Sequence, residues 1–219
     1  MEAGKKSRNR AKKSLFITFE GIDGCGKSTQ LALCAETLSE KYGSESVITT
    51  RNPGGTEFGK AVRNILLHST HKVPPLSELF LFLADRAEHL ETLLKPALEA
   101  GKIVLCDRYF DSTLVYQGHG RGLDLEVVTQ LNAIATQYTQ PDCTFLFDAD
   151  PSALQDRLIA RGKASDRMEK ETQAFRDALR NGFLSQAKQY PARIKVLDAL
   201  ESIEDTHQQV IKAIFQMIG

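Results

Sequence analysis

Leu15-Phe-Ile-Thr-Phe-Glu-Gly-Ile-Asp-Gly-Cys-Gly-Lys-Ser-Thr29 is the stretch that decides the fold. Leu15 to Phe19 is a short apolar run of the kind that forms a strand buried on both faces. Gly21, Gly24 and Gly26 close it, and from Ser28 to Tyr42 apolar residues return at helical spacing, at Leu31, Cys34, Ala35 and Leu38. Strand, glycine turn and helix thus follow one another directly. Gly21 to Ser28 fits the pattern GxxxxGK[ST]. Glycines in such a turn let successive backbone N–H groups point at phosphate oxygens, and the helix behind adds the partial positive charge of its N-terminus. The implied cradle is Gly21, Ile22, Asp23, Gly24, Cys25, Gly26, Lys27, Ser28 and Thr29. Within such a cradle Lys27 would reach the β- and γ-phosphates of a nucleoside triphosphate such as ATP, and the Ser28 hydroxyl would ligate Mg2+.

Working outward, short strands are predicted at Val47–Thr50, Ile103–Cys106, Thr144–Phe147 and Ile194–Leu197. Helical patterns separate them, at Phe58–Leu67, Leu76–Ala100, Asp111–Gln117, Leu125–Tyr138, Ser152–Arg161, Lys170–Gln189 and Ser202–Met217. Strands alternating with helices predict a parallel sheet covered on both faces. The expected fold is therefore α/β: a P-loop NTPase of three layers, α/β/α, around a five-stranded parallel sheet. Arg161-Gly-Lys-Ala-Ser-Asp-Arg167, short, basic and glycine-containing, reads as a surface loop or as a lid near 161–168. No linker or repeat divides the chain, so 15–219 is expected to be a single domain.

Composition bounds the partners. Twenty-eight Lys and Arg offset twenty-eight Asp and Glu, so no overall field draws nucleic acid or an anionic membrane, and polyanion binding falls to a local site. The longest unbroken apolar stretch, Leu79 to Ala84, is six residues, against the ~20 that cross a bilayer. Cys25, Cys34, Cys106 and Cys143 have no CxxC spacing and fit reduced thiols in a cytoplasmic protein. His68 and His71 lack the partners of a zinc site. Residues 1–14 carry Lys5, Lys6, Arg8, Arg10, Lys12 and Lys13 with no apolar run, and read as a disordered basic tail.

A phosphate cradle identifies neither the acceptor nor the reaction. Asp107-Arg108 follows the third predicted strand, at a carboxyl end where open α/β sheets bind ligands. Asp107 can hold Mg2+ through water and Arg108 can clamp a phosphate with its planar fork, or the two can form a strand-end ion pair. Arg51, before the Pro53-Gly54-Gly55 turn, occupies the equivalent end of the second strand. Phe82 and Arg86, four apart, share one helical face, where a ring can stack on a base or simply fill the core.

Taken in order, these segments resemble the thymidylate kinase family from Leu15 to near the C-terminus. Phe19 to Thr29 resembles its P-loop, Thr50-Arg-Asn-Pro-Gly-Gly-Thr56 its Arg-x-Pro-Gly-Gly-Thr stretch, and Phe82-x-x-x-Arg86 its base-binding helix. Asp107-Arg-Tyr-Phe-Asp-Ser-Thr-Leu-Val-Tyr-Gln-Gly118 and Asp166-Arg-Met-Glu169 complete the set. The resemblance implies phosphorylation of dTMP to dTDP with ATP and Mg2+, in a cytoplasmic homodimer packed through helices after the second strand. Phe82 would stack on thymine, Arg86 bond its carbonyl edge, and Arg51 and Arg108 hold the acceptor phosphate. Ser112, Thr113, Tyr116 and Gln117 would line the same pocket, with Tyr116 crowding the sugar 2′ carbon. Asp23 would sit between the acceptor phosphate and a catalytic arginine. Neither Gly24 nor Cys25 is cationic, so the resemblance assigns catalytic charge to the lid, at Arg161 and Arg167, beside Asp23, Lys27, Arg51 and Arg108. Asp107 and Ser28 would hold the metal.

Asn52 stands where many bacterial members carry Glu, and Val115 where Ala is usual. Two other functions remain open to the sequence. One is a kinase for another deoxynucleoside monophosphate such as dUMP; the other is a non-catalytic regulator that responds to ATP.

Overall fold

A computed structural model describes residues 14–154, 157 and 171–219. The lid residues Arg161 and Arg167 and all but Ser14 of the basic tail lie outside the described residues. Five parallel strands, β1 (Leu15–Glu20), β2 (Val47–Arg51), β3 (Ile103–Asp107), β4 (Cys143–Asp148) and β5 (Ile194–Asp198), form one sheet in the order β2-β3-β1-β4-β5. Burial follows position in that order. Every residue of the central β1 is buried, whereas on the edge strand β5 only Ile194 and Leu197 are. This explains why the apolar run is continuous in one and broken by Lys195 and Asp198 in the other.

Around the sheet lie α1 (Lys27–Tyr42), α2 (Glu57–His68), α3 (Pro75–His89), α4 (Lys95–Glu99), α5 (Phe110–Thr113), α6 (Leu125–Ala135), α7 (Gln173–Gln189) and α8 (Ile203–Ile218). Alternate side chains of β1 enter two separate cores. Leu15, Ile17 and Phe19 pack with Cys34 and Leu38 of α1 and Val210 and Ile214 of α8. Phe16 packs on the other face with Leu90, Leu94, Val104 and Tyr109. Period-two alternation on a strand covered from both sides is what makes three layers. Ring contacts seal each side: Phe19 stacks on Phe147 at 6.0 Å, and Phe16 meets Tyr109 edge-on at 5.0 Å. All four cysteines are free and buried, as small apolar groups.

Two helical expectations are corrected. The pattern over Leu76–Ala100 is not one uniform helix, because a π-helical turn at Leu90–Leu94 separates α3 from α4. Likewise the segment expected to end at Gln117 runs on through a π-helical stretch, Leu114–Gly120, directly after α5. Wide turns of this kind recur at functional sites, and this one carries Tyr116 and Gln117. In the segment predicted as a helix from Ser152, the described part begins as a 3-10 turn, Pro151–Leu154.

Candidate active site

The carboxyl ends of β2, β3 and β1 are tied to one another, which sets the site. Arg108 N donates to Phe19 O at 3.1 Å and Asn52 N to Asp107 O at 3.0 Å. The glycine loop therefore emerges beside both the Asn52 turn and the Arg108 turn. Gly21, at φ 137°, passes so close to β4 that a Cβ there would sit 2.5 Å from Phe147 O. Gly26 caps α1 in the left-handed region at φ 90°. Only glycine meets both demands without strain.

Inside the loop Lys27 is buried, and its Nζ donates to Gly21 O at 2.9 Å, Ile22 O at 2.8 Å and Cys25 Sγ at 3.5 Å. An ammonium held by neutral carbonyls exchanges them for anionic phosphate oxygens at a gain, since charge-assisted hydrogen bonds are the stronger. Ser28 Oγ donates to Asp107 Oδ2 at 2.8 Å, while the other carboxylate oxygen, Oδ1, is buried with no hydrogen-bond partner. A hydroxyl and a carboxylate with an unsatisfied oxygen are the hard donors that Mg2+ takes. Asp107 makes no ion pair with Arg108 among the described contacts.

Arg108 instead crosses to the loop. Its guanidinium donates to Gly21 O at 2.9 Å, Ser112 Oγ at 3.0 Å and Asp23 Oδ1 at 2.7 Å, and lies 5.2 Å from the Tyr116 ring centroid. Its backbone is left-handed, φ 70°, a conformation that costs a non-glycine residue about 1–3 kcal/mol. These contacts hold it there.

A cavity of about 70 Å3 opens at this point. Arg108, Asp23, Ser112, Thr113, Tyr116 and Gln117 line one side; Phe82, Arg86 and Asn52 line the other. It is smaller than the ~300 Å3 typical of an enclosed ligand site. A nucleotide therefore has to sit partly in the open mouth or displace Arg108 from Asp23.

Of the expected pair of phosphate-holding arginines, only Arg108 lines the cavity. Arg51 is exposed at the end of β2 and is not in its lining, whereas Arg63 of α2, which the sequence reading passed over, is. Arg63 Nη1 donates to Pro53 O at 3.1 Å. Its signal was a cation on the helix that leaves the Pro-Gly-Gly turn.

Arg86 is 1% exposed and is held from four sides. Nη1 donates to Thr113 Oγ1 (2.6 Å) and Asn132 Oδ1 (2.7 Å), and Nη2 to Asn52 Oδ1 (2.6 Å) and Tyr109 O (3.1 Å). Its Nε has no partner. Asn52 also donates through Nδ2 to Asp85 Oδ2, so this amide links a buried carboxylate to a buried guanidinium. A neutral bridge suits the place: Asp85 already accepts from Gly54 N at 3.0 Å, and a second carboxylate would face it.

Glu20, also missed, is fully buried at the end of β1 and organises the turn that carries Arg108. It accepts from Tyr109 N at 2.7 Å and from Ser112 Oγ at 2.6 Å. Burial, with the Asp111 carboxylate nearby, pushes its carboxyl up from 4.5 to about 7, against the pull of Arg108. A carboxyl that binds its proton more tightly folded than unfolded stabilises the fold below its ordinary value and loses that contribution as pH rises through about 7. Asp85, pushed by burial to about 6, acts in the same sense. His89 is held down by burial to about 4 and acts oppositely, its contribution complete above its ordinary 6.5. From about pH 6.5 to about pH 7.5 Glu20 dominates, so the melting temperature is expected to fall across that interval and Glu20→Gln to flatten the fall. Calorimetry at fixed ionic strength checks this; an unaltered slope in the variant contradicts it.

A second cavity, about 300 Å3, lies beside the glycine loop, lined by Gly24, Gly26, Thr29, Gln30, Arg157 and Ala199 among others. Gln30 Nε2 donates to Ile203 O at 2.8 Å and Arg157 Nη1 to Ala199 O at 2.8 Å, and Gln30 Oε1 is buried without a partner. The glycine-loop motif marked one wall of it, Gly24 to Thr29, whereas the other walls, around Arg157, Ala199 and Ile203, come from segments far apart in the chain that no motif marked.

A strand-loop-helix phosphate cradle between two cavities, one walled by arginines, defines the class: a P-loop nucleotide-binding protein with a second site beside the cradle. A family profile described as thymidylate kinase matches residues 19–210. A thymidylate kinase of Gloeobacter violaceus is 47% identical over 201 residues, covering 91% of this chain and 94% of that protein. One of an Exiguobacterium species is 44% identical over 198 residues, covering 90% and 92%. The crystal structure of thymidylate kinase from Ehrlichia chaffeensis superposes with a TM-score of 0.76 at 42% identity, covering 92% of this chain and 98% of that one. The chain belongs to the thymidylate kinase family.

Proposed function

We propose that this chain transfers the γ-phosphoryl group of ATP to the phosphate of dTMP, giving dTDP. The observation that carries the acceptor assignment is a pair of unsatisfied groups: Arg86 Nε, a donor, and Gln117 Oε1, an acceptor, both buried without partners in residues that line one cavity. A pyrimidine dione offers the complement, a carbonyl beside an N–H. Phe82 supplies a ring for stacking, and Tyr116 and Thr113 fill the space beside it.

In this reading Lys27 and the loop from Gly21 to Thr29 hold the ATP phosphates, and the second cavity takes the rest of the donor. Ser28 and Asp107 hold Mg2+, which when bound draws off charge from the β- and γ-phosphates. Arg108 grips the acceptor phosphate from the cavity side and Arg63 from α2, with Arg51 at the rim. Asp23 draws Arg108 toward the loop, so the two phosphates are brought in line. The nucleophile is already an anionic oxygen, so positioning and charge neutralisation suffice and no strong base is needed. Arg161 and Arg167 are assigned the remaining charge on a lid near 161–168, within a single domain spanning 15–219.

We also assign a homodimer and a cytoplasmic location. Phe58 and Ile65 of α2 and Leu76 and Phe80 of α3 are each about half exposed, on helices that pack together after β2. Half-exposed apolar side chains on two helices that pack together are what a protein contact would cover. No described helix is long and apolar enough to cross a membrane.

Steady-state rates with ATP, Mg2+ and a panel of monophosphates test the assignment. The expected order puts dTMP first, dUMP next and ribonucleotides last. A flat profile, or a ribonucleotide first, contradicts it.

A further inference from the structure

Gln117 can serve a dione only if its amide is held one way round, and the structure contains a device that does so. Gln117 Nε2 donates to Glu78 Oε1 at 3.0 Å. Glu78, on α3, is 0% exposed, and Arg121 approaches it side-on, Nε to Oε1 at 3.1 Å and Nη2 to Oε2 at 3.4 Å. Arg121 is itself fixed, by Glu171 at 2.6 Å and by the Phe175 ring, whose centroid is 4.7 Å away. A carboxylate facing a guanidinium stays ionised, and an ionised carboxylate only accepts hydrogen bonds. It therefore admits the NH2 end of Gln117 and rejects the carbonyl end. What remains for the cavity is Oε1, the buried acceptor with no partner.

We propose that Glu78 is a specificity-determining positioning residue: with Arg121 behind it, it fixes the Gln117 amide so that the acceptor cavity takes bases presenting N–H beside a carbonyl and rejects aminopyrimidines. This rests on the acceptor reading given above. Thymine and uracil offer N–H at ring position 3. Cytosine offers a lone pair there and an amino group beside it, so both Gln117 Oε1 and Arg86 Nε meet the wrong partner. With a neutral amide at position 78 the constraint is relaxed, because that amide can offer Gln117 its NH2 as well as its oxygen, and Gln117 can then turn its own NH2 toward cytosine.

The test is the ratio of kcat/KM for dTMP to that for dCMP in wild type and in Glu78→Gln. The expected result is a ratio at least ~10-fold lower in the variant, against the ~10⁴ that a buried hydrogen-bond mismatch can supply. The change should lie mainly in the two nucleotide KM values, with the KM for ATP unmoved. A purely structural role would lower both rates together and leave the ratio alone, which overturns the proposal. Should Glu78→Gln fold poorly by circular dichroism, the same ratio is read on Arg121→Gln, where the Glu78 carboxylate loses the guanidinium that holds it side-on; the ratio must fall there too, and an unchanged ratio overturns the proposal. A wild type that does not turn over dTMP defeats the acceptor assignment itself. A wild type that prefers dTMP beside a folded variant with an unmoved ratio defeats only the role of Glu78.

Discussion

Arg108→Ala is expected to lower kcat for phosphoryl transfer by ~10³-fold while leaving the KM for ATP within about threefold of wild type. The asymmetry follows from where the contacts lie. Lys27 and the backbone N–H groups of the loop are untouched by the substitution, so the donor keeps its cradle. The acceptor side loses the guanidinium that spans Gly21 O, Ser112 and Asp23, which leaves Arg63 and the buried Arg86 as the other guanidinium groups in the cavity wall. Alanine retains the left-handed φ of 70° without the contacts that offset its cost, so the turn also loses rigidity. Single-turnover and steady-state kinetics distinguish the outcomes. A variant that keeps kcat but binds ATP poorly would mean that Arg108 serves the donor.

The second large effect is on stability. Arg86→Met is expected to cost about 3–5 kcal/mol, the usual penalty for removing one partner from a buried charged network. Replacing a buried ion by an apolar group is often neutral, but only when its partners are replaced as well. Here Asn52 Oδ1, Thr113 Oγ1, Asn132 Oδ1 and Tyr109 O would all stay, each deprived of its donor. Unsatisfied acceptors therefore decide the sign. For a domain of this size ~2–4 °C accompanies each kcal/mol, so the melting temperature should drop by about 6–20 °C. A drop under about 2 °C would mean the network repacks around methionine.

The layers and the phosphate cradle were legible because both are local. Leu15 to Thr29 carries strand, turn and helix signals within a few residues of one another, and β1, β3 and β4 are buried on both faces, which shows as unbroken apolar runs. The π turn at Leu90–Leu94 left no trace in an apolar pattern that reads equally well as continuous α-helix. Phe82, Arg86, Arg108, Thr113, Tyr116 and Gln117 were named in sequence and line one cavity. Arg63, Glu20 and Glu78 were not, for a shared reason. Each acts through a residue distant in the chain: Glu20 through Ser112, Glu78 through Gln117, Arg63 through its approach to the Pro53 turn. Nothing near Glu20 or Glu78 separates them from ordinary strand-end or helix charges, and Arg63 was marked only by its place on the helix that leaves the Pro-Gly-Gly turn. Asn52 shows the reverse case. Its neutral amide stood out in sequence, and the bridge it forms between Asp85 and Arg86 supplies the physical reason.

The most direct measurement is a crystal structure with dTMP and a non-hydrolysable ATP analogue bound together. The expected result is the dTMP phosphate on the Arg108 guanidinium, the thymine ring against Phe82, and its carbonyl and N–H edge toward Arg86 and Gln117. A nucleotide seated elsewhere, with Arg108 still closed on Asp23 and Gly21, would contradict it.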